Sequence, residues 1–148
     1  MKKERTMNNK GFSLVELIIV IAIMAILIGV MAPQLTKYVE RTRQSADMQV
    51  ADSVRTAVVT TLLDPAVTDG PTGAVTSTDI AATPFTGSTA FATSVAEILG
   101  DTPANVKAKL KSDAYKGQDI LVSVTADKQV TVTINANSGT GASAIVVK

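Results

Sequence analysis

Residues 10–33 read KGFSLVELIIVIAIMAILIGVMAP, and this stretch decides the fold of the 148-residue chain. Within residues 14–32, Glu16 is the only charged residue. As an α-helix rising about 1.5 Å per residue, residues 12–32 span about 31 Å, which is the thickness of the hydrocarbon core of a bilayer. Because the run is apolar on every side of such a helix, it needs lipid or other protein around it.

Composition excludes several classes of function. The chain has no Cys and no His, which removes thiol nucleophiles, disulfides, imidazole bases and zinc or copper sites built on nitrogen or sulfur. Aromatic residues make up 3% and the net charge is +1, so no specific nucleic-acid partner is predicted. No spaced carboxylate pair or nucleophile with a base stands out. We therefore predict a protein that is not an enzyme, with no cofactor and no metal.

Two ordinary interpretations of the apolar run stay open. A cleaved secretory signal would have its small residues near Ala32, but the run exceeds the usual ~7 to 15 residues and Pro33 would directly follow the cut. An uncleaved membrane anchor is the second. Basic residues flank the run on both sides, so they do not decide its orientation.

The sequence from Lys10 to Leu17, KGFSLVEL, resembles the processing site of class III signal peptides, the basic leaders of type IV pilins and pseudopilins. The resemblance implies that a prepilin peptidase cuts after Gly11 and that Phe12 becomes the N-methylated first residue. It further implies an assembly platform and a cytoplasmic ATPase as partners. Pro33 matches a proline common at the end of the family's apolar segment.

Individual residues in this stretch have a physical reason for their type. Gly11 has no Cβ, so it leaves the backbone open to a protease and discourages helix from continuing into the leader. An ionisable group costs about 2.5–3.5 kcal/mol at the centre of a membrane helix, so Glu16 is expected to have a partner.

The new amine on Phe12 is the expected partner of Glu16, and the family resemblance implies that the pair forms between subunits and sets their register. A glutamate that reaches the interface without any role is the alternative. Gly29 and Pro33 both weaken helical hydrogen bonding, which predicts a helix break between them.

Downstream of the apolar run, apolar residues recur at mostly four-residue steps until Asp64-Pro65. One helix over residues 12–63 is the simplest prediction. Residues 64–94 hold 11 Ser or Thr among 31, which predicts mainly loop with at most a short turn or strand. This connector is a surface loop without a ligand or, alternatively, carries an O-linked glycan or an adhesive role.

The last part of the chain predicts short helices and then strands. The spacing from Ser94 to Glu97 is that of a capping box, Gly100 supplies a stop, and Thr102-Pro103 begins a second helix. Alternating Val and Ile predict strands at 120–125, 130–134 and 143–147. We predict an α+β protein, a long N-terminal helix whose second half packs on a small antiparallel sheet.

The expected organisation has four parts. Residues 1–11 form a cleaved leader, 12–33 a transmembrane and assembly helix, 34–63 its amphipathic continuation, and 64–148 a globular head. The head consists of the 64–94 connector, short helices over 95–111 and strands over 120–147.

A basic segment runs from the end of the short helices towards the first of these strands, while residues 56–106 carry five acidic residues and no basic one. Its members are Lys107, Lys109, Lys111 and Lys116. A solvated surface is the usual explanation. The alternative hypothesis makes these lysines subunit contacts that meet the acidic stretch of a neighbouring head in a filament.

These features favour a structural subunit of a type IV pilus, held in the cytoplasmic membrane as a precursor and assembled into a surface filament for adhesion, motility or aggregation. A pseudopilin of a type II secretion or DNA-uptake system shares the same motif and is the main alternative. A membrane-anchored binding module is the second.

Overall fold

A computed structural model of the chain describes residues 11–148, so the leader lies almost wholly outside the described residues. One long helix precedes a region with two short helices and four strands. The elements are α1 (Leu14–Leu63), β1 (Val75–Asp79), α2 (Ala90–Leu99), α3 (Pro103–Ala108), β2 (Ile120–Val124), β3 (Val130–Ile134) and β4 (Ile145–Val147). The chain divides into two units, one ending at Tyr38 and one comprising Val39–Lys148. The α+β class and the long helix are confirmed.

In the first unit, α1 is exposed on all sides. Its most apolar 18-residue window has a mean hydropathy of 3.0, and none of that window is buried. By length and composition this helix can cross a membrane.

The first part of α1 has no interruption at the two residues where we predicted one. The helix is continuous through Gly29 and contains Pro33. Pro33 removes a single backbone donor, and the intact turns on both sides keep the helix together. The Thr36 hydroxyl also donates to the Pro33 carbonyl at 3.0 Å. A break at this place in the assembled state stays a prediction.

The second unit is built on a sheet with the strand order β1-β2-β3-β4, in which every neighbouring pair is antiparallel. In β2 and β3, alternate residues are buried, and they face each other across the ladder as Ile120↔Ile134, Val122↔Val132 and Val124↔Val130. This apolar face belongs to the same core cluster as Val54 and Val58 of α1. The predicted hairpin and its packing on the helix are therefore confirmed.

The sheet has four strands instead of the predicted three, because the short strand that the sequence allowed in the connector joins it. The extra strand, β1, lies inside the Ser/Thr-rich connector and pairs with β2. Its sequence VTSTD has a single apolar residue, so it lacks the alternation that identifies a half-buried strand. A register shift between Val75 and Thr78 and a positive φ of 43° at Ser77 make this edge strand irregular.

Helix α2 begins earlier than the capping-box spacing predicted. Its N-cap is Thr89, not Ser94, and the Thr89 hydroxyl accepts from the Ala92 N–H at 3.1 Å. The Asp69 carboxylate, from the connector, accepts from the Ala90 and Phe91 N–H groups at 2.6 and 2.8 Å. Two chain segments thus satisfy the first turn of α2 together.

Two other predicted boundaries are confirmed. Gly100 ends α2 with a positive φ of 67°, a conformation that glycine adopts without strain. Helix α3 has Thr102 as its N-cap and Pro103 as its first residue.

Candidate functional site

Ser13 and Glu16 cap the start of α1, and their contact has the glutamate half of a capping box. The Glu16 Oε2 atom accepts from the Ser13 backbone N–H at 2.8 Å. The Ser13 Oγ atom accepts from the Val15 N–H at 3.4 Å, and the Ser13 carbonyl accepts from the Leu17 N–H at 3.2 Å. The carboxylate therefore lies over the first turn, where the helix dipole favours negative charge.

Sequence reasoning missed Ser13, although the signal was present. Ser13-Leu14-Val15-Glu16 is an S-x-x-E pattern directly before an apolar run, which is the usual sign of a helix start. We expected the helix to begin at Phe12, and this expectation hid the pattern. The structure starts α1 at Leu14 and leaves Phe12 outside it.

The predicted cleavage junction is accessible. Gly11 is exposed, Phe12 is 93% exposed, and neither belongs to the helix. A Cβ added at Gly11 would meet no atom within 4 Å. The structure thus brings Gly11 and Phe12 next to the turn that carries Glu16, while Lys10 lies outside the described residues.

Two of the four lysines of the basic segment form ion pairs inside their own unit. The Lys107 ammonium donates to Asp119 and, at 3.2 Å, to Asp79. The hydrogen bond to Asp119 raises the pKa of Lys107 above its ordinary value, and Asp79 raises it further. Burial lowers this pKa, but by less than the two carboxylates raise it. The Lys109 ammonium lies 3.0 Å from Asp101. Hydrogen bonds from the Asn105 amide and then from Lys109 lower the pKa of Asp101.

The other two lysines are available for contacts outside the unit. Lys111 and Lys116 are exposed, and within residues 11–148 neither has an ion-pair partner. Of the four candidate subunit contacts, these two keep an unpaired charge.

The loop between α3 and β2 is tied to α1 by two acidic side chains. Asp47 is fully buried, and its carboxylate accepts from the Lys111 and Ser112 N–H groups at 2.9 and 3.0 Å. About two turns earlier on the same face of α1, Glu40 accepts from the Ala114 N–H at 3.4 Å. These bonds fix the loop that carries Lys111 and Lys116.

The same loop is held on its other side by Tyr115. Its hydroxyl donates to the Ser143 carbonyl at 2.7 Å. Burial raises the pKa of Tyr115, and the negative charges of Asp47 and Glu40 raise it further. The hydroxyl therefore stays a proton donor at neutral pH.

Replacing Asp47 with Ala is expected to lower the free energy of unfolding by about 2–4 kcal/mol, because one buried and one partly buried N–H group lose their acceptor. Asn keeps one acceptor oxygen, so Asp47→Asn is expected to cost less. Thermal unfolding of the full-length chain in detergent, followed by circular dichroism, measures both effects.

The matched control for this prediction is Asp52→Ala. Asp52 is an exposed carboxylate on the same helix, and its loss is expected to change stability by about 0.5 kcal/mol or less. Equal stability of the Asp47→Ala and Asp52→Ala variants would show that the buried carboxylate does not hold the loop.

Comparisons with known proteins agree with this arrangement. A family profile described as the prokaryotic N-terminal methylation motif matches residues 6–32. Type IV major fimbrial proteins FimA of Dichelobacter nodosus are 46% identical over 55 residues, which is 37% of this chain and 35% of the relative. The chain thus matches about a third of the length of these relatives.

A longer match is to the FimA of Dichelobacter nodosus strain VCS1703A. It is 33% identical over 112 residues, which covers 73% of this chain and 68% of the relative. No solved structure is significantly similar to the chain.

A capped apolar helix behind an exposed Gly-Phe junction, followed by a small antiparallel sheet, defines a prepilin-like class of protein. The methylation motif and the similarity to fimbrial proteins show that the chain belongs to the type IV pilin family. These relatives are named as structural fimbrial proteins and not as enzymes.

Proposed function

We propose that this chain is the structural subunit of a type IV pilus. A prepilin peptidase removes residues 1–11, Phe12 is N-methylated, and the mature chain is polymerised from the membrane into a surface filament. The observation that carries the proposal is the exposed Gly11-Phe12 junction directly before a capped helix of membrane length.

In this proposal the apolar part of α1 is surrounded first by lipid and later by other subunits. Residues 12–33 hold the precursor in the cytoplasmic membrane, and the same surface later packs against identical helices in the filament. Exposure to water would cost about 25 cal/mol per Å² of apolar surface. Transfer from lipid to a filament core avoids most of this cost, because both surroundings are apolar. Residues 34–63 continue the helix, and residues 64–148 form the head.

Glu16 couples processing to assembly. Cleavage creates an amine on Phe12, one residue before the Ser13 N–H that already binds the carboxylate at 2.8 Å. A carboxylate has two oxygens and room for several donors, so it can keep the cap and also accept from an amine. Pairing with the amine of a neighbouring copy sets the axial register, while the apolar surfaces supply the packing.

The remaining partners in this proposal are those that the family resemblance implies. The peptidase, an assembly platform and a cytoplasmic ATPase act on the chain, which has no G-x-x-x-x-G-K-[ST] loop of its own and so is not the motor. Adhesion, motility and aggregation are functions that such a filament serves.

A major pilin is favoured over a pseudopilin because the relatives are named major fimbrial proteins. Shearing fibres from cells that make this chain tests the choice. The proposal expects long surface fibres with this chain as their main protein. Short structures that stay within the cell envelope would favour the pseudopilin, and a chain found only as a membrane-bound monomer would favour the anchored binding module.

A further inference from the structure

One end of the second unit carries unpaired positive charge. The backbone bonds from Lys111 and Ser112 to Asp47, and from Ala114 to Glu40, place the loop beside residues 40–47 of α1. Lys111 and Lys116 are exposed on this loop, and the exposed Asp113 lies between them in the sequence. Arg41 and Arg43 are exposed on the same stretch of α1. These four residues, Arg41, Arg43, Lys111 and Lys116, are called the basic end.

The other end carries carboxylates. Helix α1 ends at Leu63, and Asp64 follows it. The turn between β2 and β3 lies at the same place, because the Lys128 ammonium donates to the Leu62 carbonyl at 3.2 Å. Asp127 precedes that lysine and is exposed, with no ion pair in the described part of the chain. Asp64 and Asp127, together with the 67% exposed Leu63, are called the acidic end. The Lys128 ammonium lies at the same place, so two carboxylates and one ammonium leave this end with a net charge of −1.

The two ends are too far apart to meet within one unit. From Asp47 to Leu62 the helix advances fifteen residues, which is about 22 Å. This exceeds the Debye length of about 8–10 Å at ordinary salt, so the charges do not neutralise each other internally. Two copies can bring them together in two ways, antiparallel as a closed dimer or in the same direction with a shift along α1.

A contact between two different surfaces of the same chain repeats without closing when the copies are shifted along an axis. Such a heterologous contact generates an open filament rather than a ring or a dimer. The proposed filament, whose copies lie in the same direction, selects this shifted arrangement over the closed antiparallel dimer.

We propose that the basic end of one copy binds the acidic end of the next copy, with Lys116 and Asp127 as the principal pair and Lys111 and Asp64 beside them. This inference rests on the proposed filament function and names the head contact within it. Lys107 and Lys109 are not part of the contact, because Asp79, Asp119 and Asp101 already neutralise them.

Charge reversal in the full-length chain tests the contact. Lys116→Glu is expected to lower the amount of filament sheared from the cells about fivefold, because an attraction becomes a repulsion. Asp127→Lys is expected to do the same. The double variant Lys116→Glu, Asp127→Lys is expected to return close to the wild-type value, since it restores an opposite pair.

Glu97→Lys supplies the matched control. Glu97 is exposed on α2 and belongs to neither end, and its reversal changes net charge as much as Asp127→Lys does. Combined with Lys116→Glu, it is expected to restore the net charge without restoring assembly. Equal rescue by Glu97→Lys and Asp127→Lys would overturn the pairing, as would a Lys116→Glu variant that assembles normally.

Salt dependence gives a second readout that needs no variant. Wild-type filaments are expected to dissociate more at high ionic strength, and filaments unaffected by salt would contradict a contact made of exposed charges. Failure of the wild type to form any filament would overturn both the function and this inference. Normal wild-type filaments with unaffected charge variants would overturn the inference alone.

Discussion

Replacing Glu16 with Gln is expected to lower the yield of surface filaments about 10- to 100-fold, because a hydrogen-bonded charge pair of about 1.5–3 kcal/mol is lost at each subunit. Gln keeps a carbonyl oxygen that can accept from the Ser13 N–H, as Gln does in other capping boxes. The helix start therefore survives, and the substitution removes only the charge. Shearing and quantifying filaments from cells that express each variant measures the effect.

Glu16→Ala and Glu97→Gln complete this comparison. Ala removes both the charge and the cap, so it shows the combined effect, whereas Glu97 is an exposed carboxylate on α2 whose neutralisation is expected to leave assembly unchanged. If Glu16→Gln cells made as many filaments as the wild type while Glu16→Ala cells did not, the cap and not the charge would be the function of Glu16.

Replacing Gly11 with Val is expected to abolish processing, so that the full-length chain accumulates in the membrane and no filaments form. A β-branched side chain hinders the approach of a protease to the backbone at the scissile bond. The fold is not the reason for the loss, because a Cβ at Gly11 meets no atom within 4 Å. The mass of the membrane-bound chain measures this result.

Gly29→Ala is the control for that substitution. Gly29 is also open to an added Cβ, but it lies inside α1, far along the chain from the junction. Ala improves helix propensity there by about 1 kcal/mol and is expected to leave processing intact. Normal cleavage of the Gly11→Val chain would mean that the peptidase does not need a small residue before the cut.

Elements with a regular apolar period are the ones that sequence reasoning found. The helix from Leu14 to Leu63 and the hairpin of β2 and β3 follow from spacings of four and of two residues. Gly100 and Thr102-Pro103 were found because their signals are local. Gly100 adopts a positive φ at the end of α2, and Thr102 is an N-cap directly before a proline in the first helical position.

Elements that depend on distant partners were missed. β1 exists because it extends the edge of β2, and its own residues do not alternate. The start of α2 was misplaced because Asp69, more than twenty residues away, completes its first turn. Local spacing favoured Ser94, and tertiary contacts favoured Thr89.

The buried carboxylate of Asp47 is the clearest case of this limit. Its partners lie 64 and 65 residues further along the chain, in backbone groups that no side-chain pattern marks. The one available signal was its position on the same helix face as Ala51 and Val54. A carboxylate on a buried face is costly unless it accepts hydrogen bonds, so its presence there indicates a partner. In a chain without cysteine, such polar ties help to hold the loops to α1.

The candidate site divides in the same way. Gly11, Phe12 and Glu16 were found from a local motif, and Ser13 was overlooked within it. The lysines were found as a group, but their separation into two paired and two unpaired side chains needed the positions of Asp79, Asp101 and Asp119.

Mass spectrometry of the N-terminal peptide of the mature protein tests the account most directly. We expect a first residue of Phe12 with one added methyl group on its amine, in protein taken from sheared surface fibres. An intact Met1 would indicate an uncleaved anchor, and a first residue of Pro33 would indicate an ordinary secretory signal. Either result would contradict the processing on which filament assembly depends.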